Sequence, residues 1–553
     1  MKIHFNYLLL FIPLILLTCN SASENSIKKD IHIRIDQVGY LPNDYKSGVI
    51  ISNEFLDNTI VSIKSSNNDE IYKTKLSASL GKYGEFKYSY QFDFSTLKTK
   101  GKYYVECNGV KSFTFEIGDL IYNKVVDSLL QFYKVQRCGY TEPIYHAVCH
   151  KADVSKLILG KDTIVSTVDA TGGWHDAGDY TKFVNTTAYT TYMLLFSYEL
   201  SPDKFEFDYN KNGVPDILEE AKIGLDWLLR ANYTSDKLIT QVQGWQDQQV
   251  GWRLPENDVL EYDRPGFVGI GKNLIGIYVA TMSIAARIWT ERINYPEFAN
   301  TCLTKAENLY SIYKSVPDVD SSGTGMYIDK NYLGKLALGA VELFISTGRT
   351  ELLSDAKIFA DKAGSDYWWS WGDINSLANF RLAKYDSKYS EYIYNNLVGF
   401  NTTKSGKLFS EGAAYTWGTT NTLLGISLQA ILYKKLTGSV QFDSLNVAQR
   451  NYVLGKNPWG ISFISKIGTN YTKSFHHQIG HIKKYLPGAL AAGPIGKAFL
   501  DNYKIKFDTY DKYKHFQTDE AYYRDDKNDY ITNEPTIVSN ATAIFVYGYY
   551  CKR

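Results

Sequence analysis

At 553 residues the chain is longer than one ordinary hydrophobic core supports, so two or three domains are expected. Hydrophobic residues at 44% and charged residues at 22% describe a globular protein and exclude a largely disordered one. Lys+Arg 60 against Asp+Glu 59 leaves a formal net charge of +1, which gives no reason to expect nucleic acid or another polyanion as a partner.

The first elements are read as processing signals. Lys2 precedes an apolar run over residues 7–17 that is too short to span a bilayer comfortably. The run ends in Leu16, Leu17, Thr18 and Cys19, which resembles a bacterial lipobox. The expectation is a lipoprotein signal peptide over 1–18, lipidation at Cys19 and a polar tether over 19–30. Export to a bacterial outer membrane would follow, on either face, with contact to the membrane only through the lipid. A plain secretory signal is the alternative. No later segment is apolar enough to be a span.

From residue 31 to 118 short apolar or alternating runs, many separated by turn residues, predict a β-sandwich. This block holds no catalytic constellation. From residue 119 to 553 the period becomes helical, with apolar residues three and four apart. Helices are expected after Leu120 and near 184–200, 215–229, 268–290, 300–314, 331–347, 352–364, 372–383, 387–396, 418–436, 441–454 and 535–549. A set of this size without a fixed-period repeat suits a closed toroid of helical hairpins better than a solenoid.

Apart from Cys19 there are five cysteines, an odd number at irregular spacing, so a disulfide framework is not indicated. Cys138, Cys149 and His150, with His146, Asp153 and His175 as further donors, read either as a structural zinc site or as core thiols.

Residues 172–180 carry the most chemistry. Gly172 and Gly173 permit a tight turn, Trp174 and Tyr180 offer flat faces for sugar rings, and Asp176 and Asp179 stand three residues apart. Such a pair can orient a water and take its proton; alone, it reads first as a glycine-rich turn with two solvated aspartates. Downstream, His476 and His477 either hold sugar hydroxyls or are satisfied by backbone carbonyls. Glu534 sits at the mouth of the last helical pattern near aromatics able to keep it protonated; the alternative is a carboxylate facing the helix dipole.

Residues 172–180 resemble the aspartate signature of glycoside hydrolase family nine, the inverting β-1,4-glucanases. The C-terminal signature of that family is matched by Tyr523, Asp525, Tyr530, Glu534, Thr536, Asn540 and Ala541. Residues 212–218 and 452–458 resemble further family stretches. Residues 36–42 resemble the N-terminal immunoglobulin-like domain that many members carry, and 132–133 with 136–139 resemble its exit into the catalytic domain. The resemblance implies an immunoglobulin-like β-sandwich followed by an (α/α)6 barrel. It implies Asp179 as general base, Asp176 as its partner in holding the water and Glu534 as general acid. It places His476 in the substrate cleft with Asp525 supporting the site, and Trp252 and Trp417 are candidate sugar-binding aromatics. Cys138, Cys149, His150 and His175 would hold a structural zinc; catalysis would need no cofactor, and no calcium cluster is assigned.

Three positions depart from the family. Gln478 stands where Arg is usual, Ser539 where an aromatic is frequent, and the loop at Gln246, Asp247, Gln248 and Gln249 lacks a His that many cellulases have. These departures point away from crystalline cellulose and toward xyloglucan, mixed-linkage glucan or shorter oligosaccharides. Inversion requires the Glu534 and Asp179 carboxyls to stand about 6.5–9.5 Å apart. A glycan-binding surface protein without turnover is the second reading. Oligomeric state is not legible.

Overall fold

The computed structural model describes residues 30–139, 145–165, 168–244, 247, 251–258 and 264–553. The signal, lipobox and most of the tether, and the loop positions Gln246, Gln248 and Gln249, lie outside the described residues.

The N-terminal strands form two facing sheets. One pairs Ile31–Arg34 and Tyr88–Asp93 with the central Ser47–Ser52. The other runs Gly39–Tyr40, Phe115–Ile117, Gly101–Cys107, Ile60–Ser65 and Glu70–Lys75, antiparallel except for its first pair. Alternate residues such as Val61, Ile63, Tyr103 and Val105 turn inward onto Ile33, Ile50, Tyr90 and Phe92. That is the half-buried alternation a sandwich needs.

Twelve helices of eight or more residues follow among the described residues. Six form a closed inner ring: Val184–Leu200, Lys272–Glu291, Leu333–Thr347, Asn375–Leu382, Thr419–Thr437 and Ile537–Gly548, the last returning to the first. Each is backed by an outer helix: Asp216–Ala231, Pro296–Ser311, Thr350–Ala363, Lys388–Lys404, Asp443–Val453 and Asn123–Gln136. The division follows from the sequence. Val184–Leu200 is buried over almost its whole circumference, so it has no solvent face to present. Asp216–Ala231 buries only the stripe through Ile217, Leu218, Ala221, Leu225 and Leu228. Inner helices approach closely where they carry glycine: a Cβ on Gly339 would lie 2.7 Å from the Gly276 carbonyl oxygen.

The helical periodicity gave no hint of a small sheet that lies among these helices. Its order is Asp162–Val165, Lys156–Leu159, Gly266–Gly269, Leu238–Val242 and Lys182–Phe183. The last strand begins three residues after Asp179, so pairing of Lys182 with Val242 anchors the exit of the Asp176/Asp179 loop.

The sandwich is locked to the barrel by buried polar contacts. Gln37 donates through its backbone N–H to Leu454 (3.0 Å) and through its side chain to Gly460 (3.0 Å), and accepts from the N–H groups of Thr469 and Asn470. Arg450 pairs with Asp44 at 3.0 Å and Lys456 donates to Ser47 at 2.6 Å. The stretches 36–42 and 452–458, far apart in sequence, therefore meet at one interface.

Candidate active site

The Asp176/Asp179 loop is held from three sides. The Gln136 amide donates to the carbonyls of His175 (3.1 Å) and Ala177 (2.7 Å), while the Gln136 carbonyl accepts from the His175 N–H at 2.8 Å. The Ile537 N–H, at the start of the last helix, donates to the Asp176 carbonyl at 3.0 Å. Lys182, fully buried, donates to the carbonyls of Ala170 and Gly172 and pairs with Asp153 at 2.7 Å. Gly178 is required by proximity: a Cβ there would stand 2.2 Å from the His476 carbonyl oxygen.

Glu534 faces this loop. Its carboxylate accepts from the Gly178 N–H at 3.1 Å, whereas the last helix is capped by Thr536, which accepts from the Ser539 N–H. Burial, then the charges of Asp179 and Asp176, push the Glu534 carboxyl well above the usual carboxylate range. Burial and the neighbouring Asp247 raise Asp179 to about 7, against the Thr181 N–H that donates to it at 3.0 Å. Burial raises Asp176 to about 6. It is 1% exposed, and neither oxygen makes a hydrogen bond of good geometry; the Thr186 and Tyr327 hydroxyls only moderate its rise. Three carboxyls thus share a low-dielectric site, and burial raises the pKa of each.

His476 donates from Nδ1 to the Lys527 carbonyl (2.8 Å), which leaves Nε2 as an acceptor. Burial lowers its pKa, so the ring is neutral. Its ring lies 5.0 Å from Trp252 and 5.8 Å from Tyr530, and Tyr530 lies 6.0 Å from Trp417, which is 45% exposed. Tyr503 completes the row, 5.8 Å from Trp417. Asp525, expected to support the site, accepts from the N–H groups of Lys473 and Ser474 and pairs with Lys512, so it holds the histidine loop in place.

Several aromatic and polar readings change. Trp174 and Tyr180 are buried, not open to sugar: Trp174 donates to Glu220 at 2.8 Å, and the Tyr180 hydroxyl to the Arg253 carbonyl. His477 is buried between Gln136 and the Gly480 N–H. Gln478 accepts from the Arg253 N–H at 2.9 Å and donates through its own N–H to the Gly178 carbonyl at 2.9 Å, tying the Trp252 segment to the Asp176/Asp179 loop. Ser539 belongs to the cap of the last helix. Tyr327, and the hold of Gln136 on the Asp176/Asp179 loop, were missed because no local pattern marks a residue that reaches the site through tertiary packing.

Beside the loop, one ligand atom from each of Cys138, Cys149, His150 and His175 lies within 4.8 Å of the others. Tetrahedral zinc with Zn–S of about 2.3 Å and Zn–N of about 2.0–2.1 Å requires S···N of about 3.5 Å and N···N of about 3.3 Å. Cys138 Sγ stands 3.6 Å from His150 Nδ1, and His175 Nε2 stands 3.3 Å from the same atom. The other His150 nitrogen meets Asp258 at 3.0 Å, the usual support for a metal-bound imidazole. The donor set fits a four-coordinate metal. A second candidate cation loop escaped the sequence reading: Asp208, Asn210, Asn212, Gly213 and Glu219 have the spacing of an EF-hand loop.

A closed ring of helical hairpins with opposed buried carboxyls at one end, beside a row of aromatic rings, defines a glycoside hydrolase of the (α/α)6 class. The chain belongs to glycosyl hydrolase family 9, whose family model matches residues 122–547, and the cellulase N-terminal ig-like domain matches residues 28–112. It is 26% identical over 517 residues to endoglucanase D of Acetivibrio thermocellus, covering 85% of this chain and 79% of that one. To a xyloglucan-specific endo-beta-1,4-glucanase of Bacteroides ovatus it is 24% identical over 552 residues, covering 88% and 90%. A crystal structure of a metagenome-derived glycoside hydrolase family 9 endoglucanase superposes with a TM-score of 0.81 at 26% identity, covering 95% of this chain and 99% of that one.

Proposed function

We propose that the protein is an endo-acting hydrolase of β-1,4-glucosidic bonds in a soluble β-glucan and that it works with inversion. The observation that carries this reading is the opposition of Glu534 to the Asp176/Asp179 loop, with burial and mutual repulsion keeping a proton on Glu534. In the reaction Glu534 donates that proton to the glycosidic oxygen as the bond from C1 to that oxygen breaks. Asp179 takes a proton from the water whose oxygen attacks C1 from the opposite face, and Asp176 helps to hold that water. The two protons then re-equilibrate with solvent. His476 Nε2 accepts a sugar hydroxyl, and Trp252, Tyr530 and Trp417 supply stacking faces along the chain.

Cys138, Cys149, His150 and His175 would hold a zinc ion in a structural role, since two thiols and two imidazoles supply a full set of four protein donors. The functional chain is divided into a sandwich over 31–118 and a barrel over 119–553. It is exported and anchored through lipid on Cys19. The test of function is product release from a panel of β-glucans by wild type beside Glu534→Gln. Release that disappears in the variant is expected. Binding without release in both proteins would favour a glycan-binding protein and overturn the reading.

A further inference from the structure

A cavity of about 530 Å³ lies on the far side of the His476 loop, within the range of small-molecule sites. Its wall includes Lys466, Lys473, Lys484, Lys527, Tyr471 and Tyr485. Lys527 is matched by Asp508 at 3.2 Å, but among the described residues no carboxylate lies within ion-pairing distance of Lys466, Lys473 or Lys484. The chain as a whole is almost neutral, so this excess of positive charge is local and not a consequence of composition. Like charges gathered on one wall repel, and only solvent and salt relieve them unless an anion enters. His481, also on the wall, does not compensate: burial, Lys484 and Lys527 lower its pKa and keep it neutral.

The cavity neighbours the proposed substrate cleft across the Trp252 ring. The rings of His481, on its wall, and His476, in the cleft, both pack on Trp252, at 4.9 and 5.0 Å. The carbonyl that fixes the His476 ring belongs to Lys527. The ammonium of Lys466 lies 5.7 Å from the Tyr471 ring centroid and 5.9 Å from that of Tyr485, which brings cation and aromatic ring together on one wall. Arginine is absent from the wall, so the lysines meet an anion as point charges, without the geometric selectivity of a planar fork.

We propose that this pocket is an accessory subsite for a carboxylate-bearing sugar, a hexuronic acid unit carried on the glucan, with the lysines meeting the carboxylate and the tyrosines meeting the ring. The proposal rests on the glucanase reading for the identity of the chain that carries the acid.

The test uses two matched ligands, a β-1,4-linked gluco-oligosaccharide and the same oligosaccharide with one glucuronosyl branch. Calorimetric binding and kcat/KM are measured for the full chain and for Lys466→Gln/Lys484→Gln, both exposed positions outside the catalytic loop. At low salt the acidic ligand is expected to bind wild type on the order of ten-fold more tightly than the neutral one, the sum of a few exposed charge pairs. That advantage should vanish in the double variant and in about 0.5 M salt, with the neutral ligand unaffected. Equal binding of the two ligands, or a preference that survives in the double variant, overturns the proposal. Inorganic phosphate that matches the acidic oligosaccharide in affinity overturns the sugar assignment and leaves a general anion site. If wild type hydrolyses neither ligand but keeps the charge-dependent preference, the glucanase reading falls and the subsite stands; hydrolysis of the neutral ligand without any preference gives the reverse.

Discussion

Replacing Asp176 by Asn should make the protein more stable at alkaline pH while removing most of its activity. Burial lifts this carboxyl from 3.8 to about 6, against the Thr186 and Tyr327 hydroxyls that oppose the rise. At 1.36 kcal/mol per pH unit that rise corresponds to ~3 kcal/mol. The sign follows from proton uptake. Between about pH 4 and 6 the unfolded chain has released the proton and the folded chain has not, so stability falls as pH rises through this window and stays lower above it. Asn has the same shape and no proton to lose. The variant should therefore match wild type near pH 4 and exceed it by up to ~3 kcal/mol near pH 8. Denaturant unfolding at the two pH values, read by tryptophan fluorescence, measures the difference directly. An advantage that is the same at both pH values would refute the account, because a packing gain does not depend on pH.

Four other outcomes are expected. Asp179→Asn and Glu534→Gln should each lower kcat by roughly 10²–10⁴-fold, the usual size of a general-acid or general-base contribution, with binding of a glucan retained; calorimetry beside a reducing-sugar assay separates the two effects. The acidic limb of the kcat/KM profile should lie near pH 7, because Asp179 must be ionised to accept a proton, and activity should rise as pH increases through that value; a limb near pH 4 would show that burial does not raise Asp179 in the free enzyme. The first product seen by proton NMR should be the α-anomer, whereas an initial β-anomer would mean retention. Exhaustive chelation, or Cys149→Ser, should remove bound zinc measured by elemental analysis and lower the unfolding midpoint, and added zinc should restore the chelated protein only.

Much of this was legible because it is local. Amphipathic stripes such as Ile217, Leu218, Ala221 and Leu225 announce a helix without reference to the rest of the chain. The small sheet was not legible: Lys182–Phe183 is two residues long, and strands this short carry no period. Asp176 and Asp179 are neighbours in sequence, but their opposition to Glu534 joins positions some hundreds of residues apart, and only the resemblance to a family suggested it. Trp174 and Tyr180 were misjudged for a related reason. An aromatic beside glycine reads alike whether it faces sugar or, as Trp174 does, donates to a buried Glu220.

The placement of the metal cluster explains why a structural ion would matter to chemistry it does not perform. His175 is next to Asp176 in sequence, and Cys138 lies two residues beyond Gln136, whose amide spans the carbonyls on either side of Asp176. The Cys138 N–H donates to the Gly173 carbonyl at 2.9 Å, and Arg137 forms a bridge with Trp174. Residues 136–138 and 173–177 therefore form one short antiparallel contact, with two metal ligands at its edge. The loop itself is rich in glycine and carries buried carboxyls that repel one another, so it has little intrinsic reason to keep its shape. A metal ion bound there would crosslink the loop's neighbour to Cys149 and His150 and supply that reason from outside the loop. The cost of holding Asp176, Asp179 and Glu534 in one dry site is met by the scaffold, and on the proposed mechanism it is this imposed arrangement that would keep a proton on the acid and leave the base to ionise.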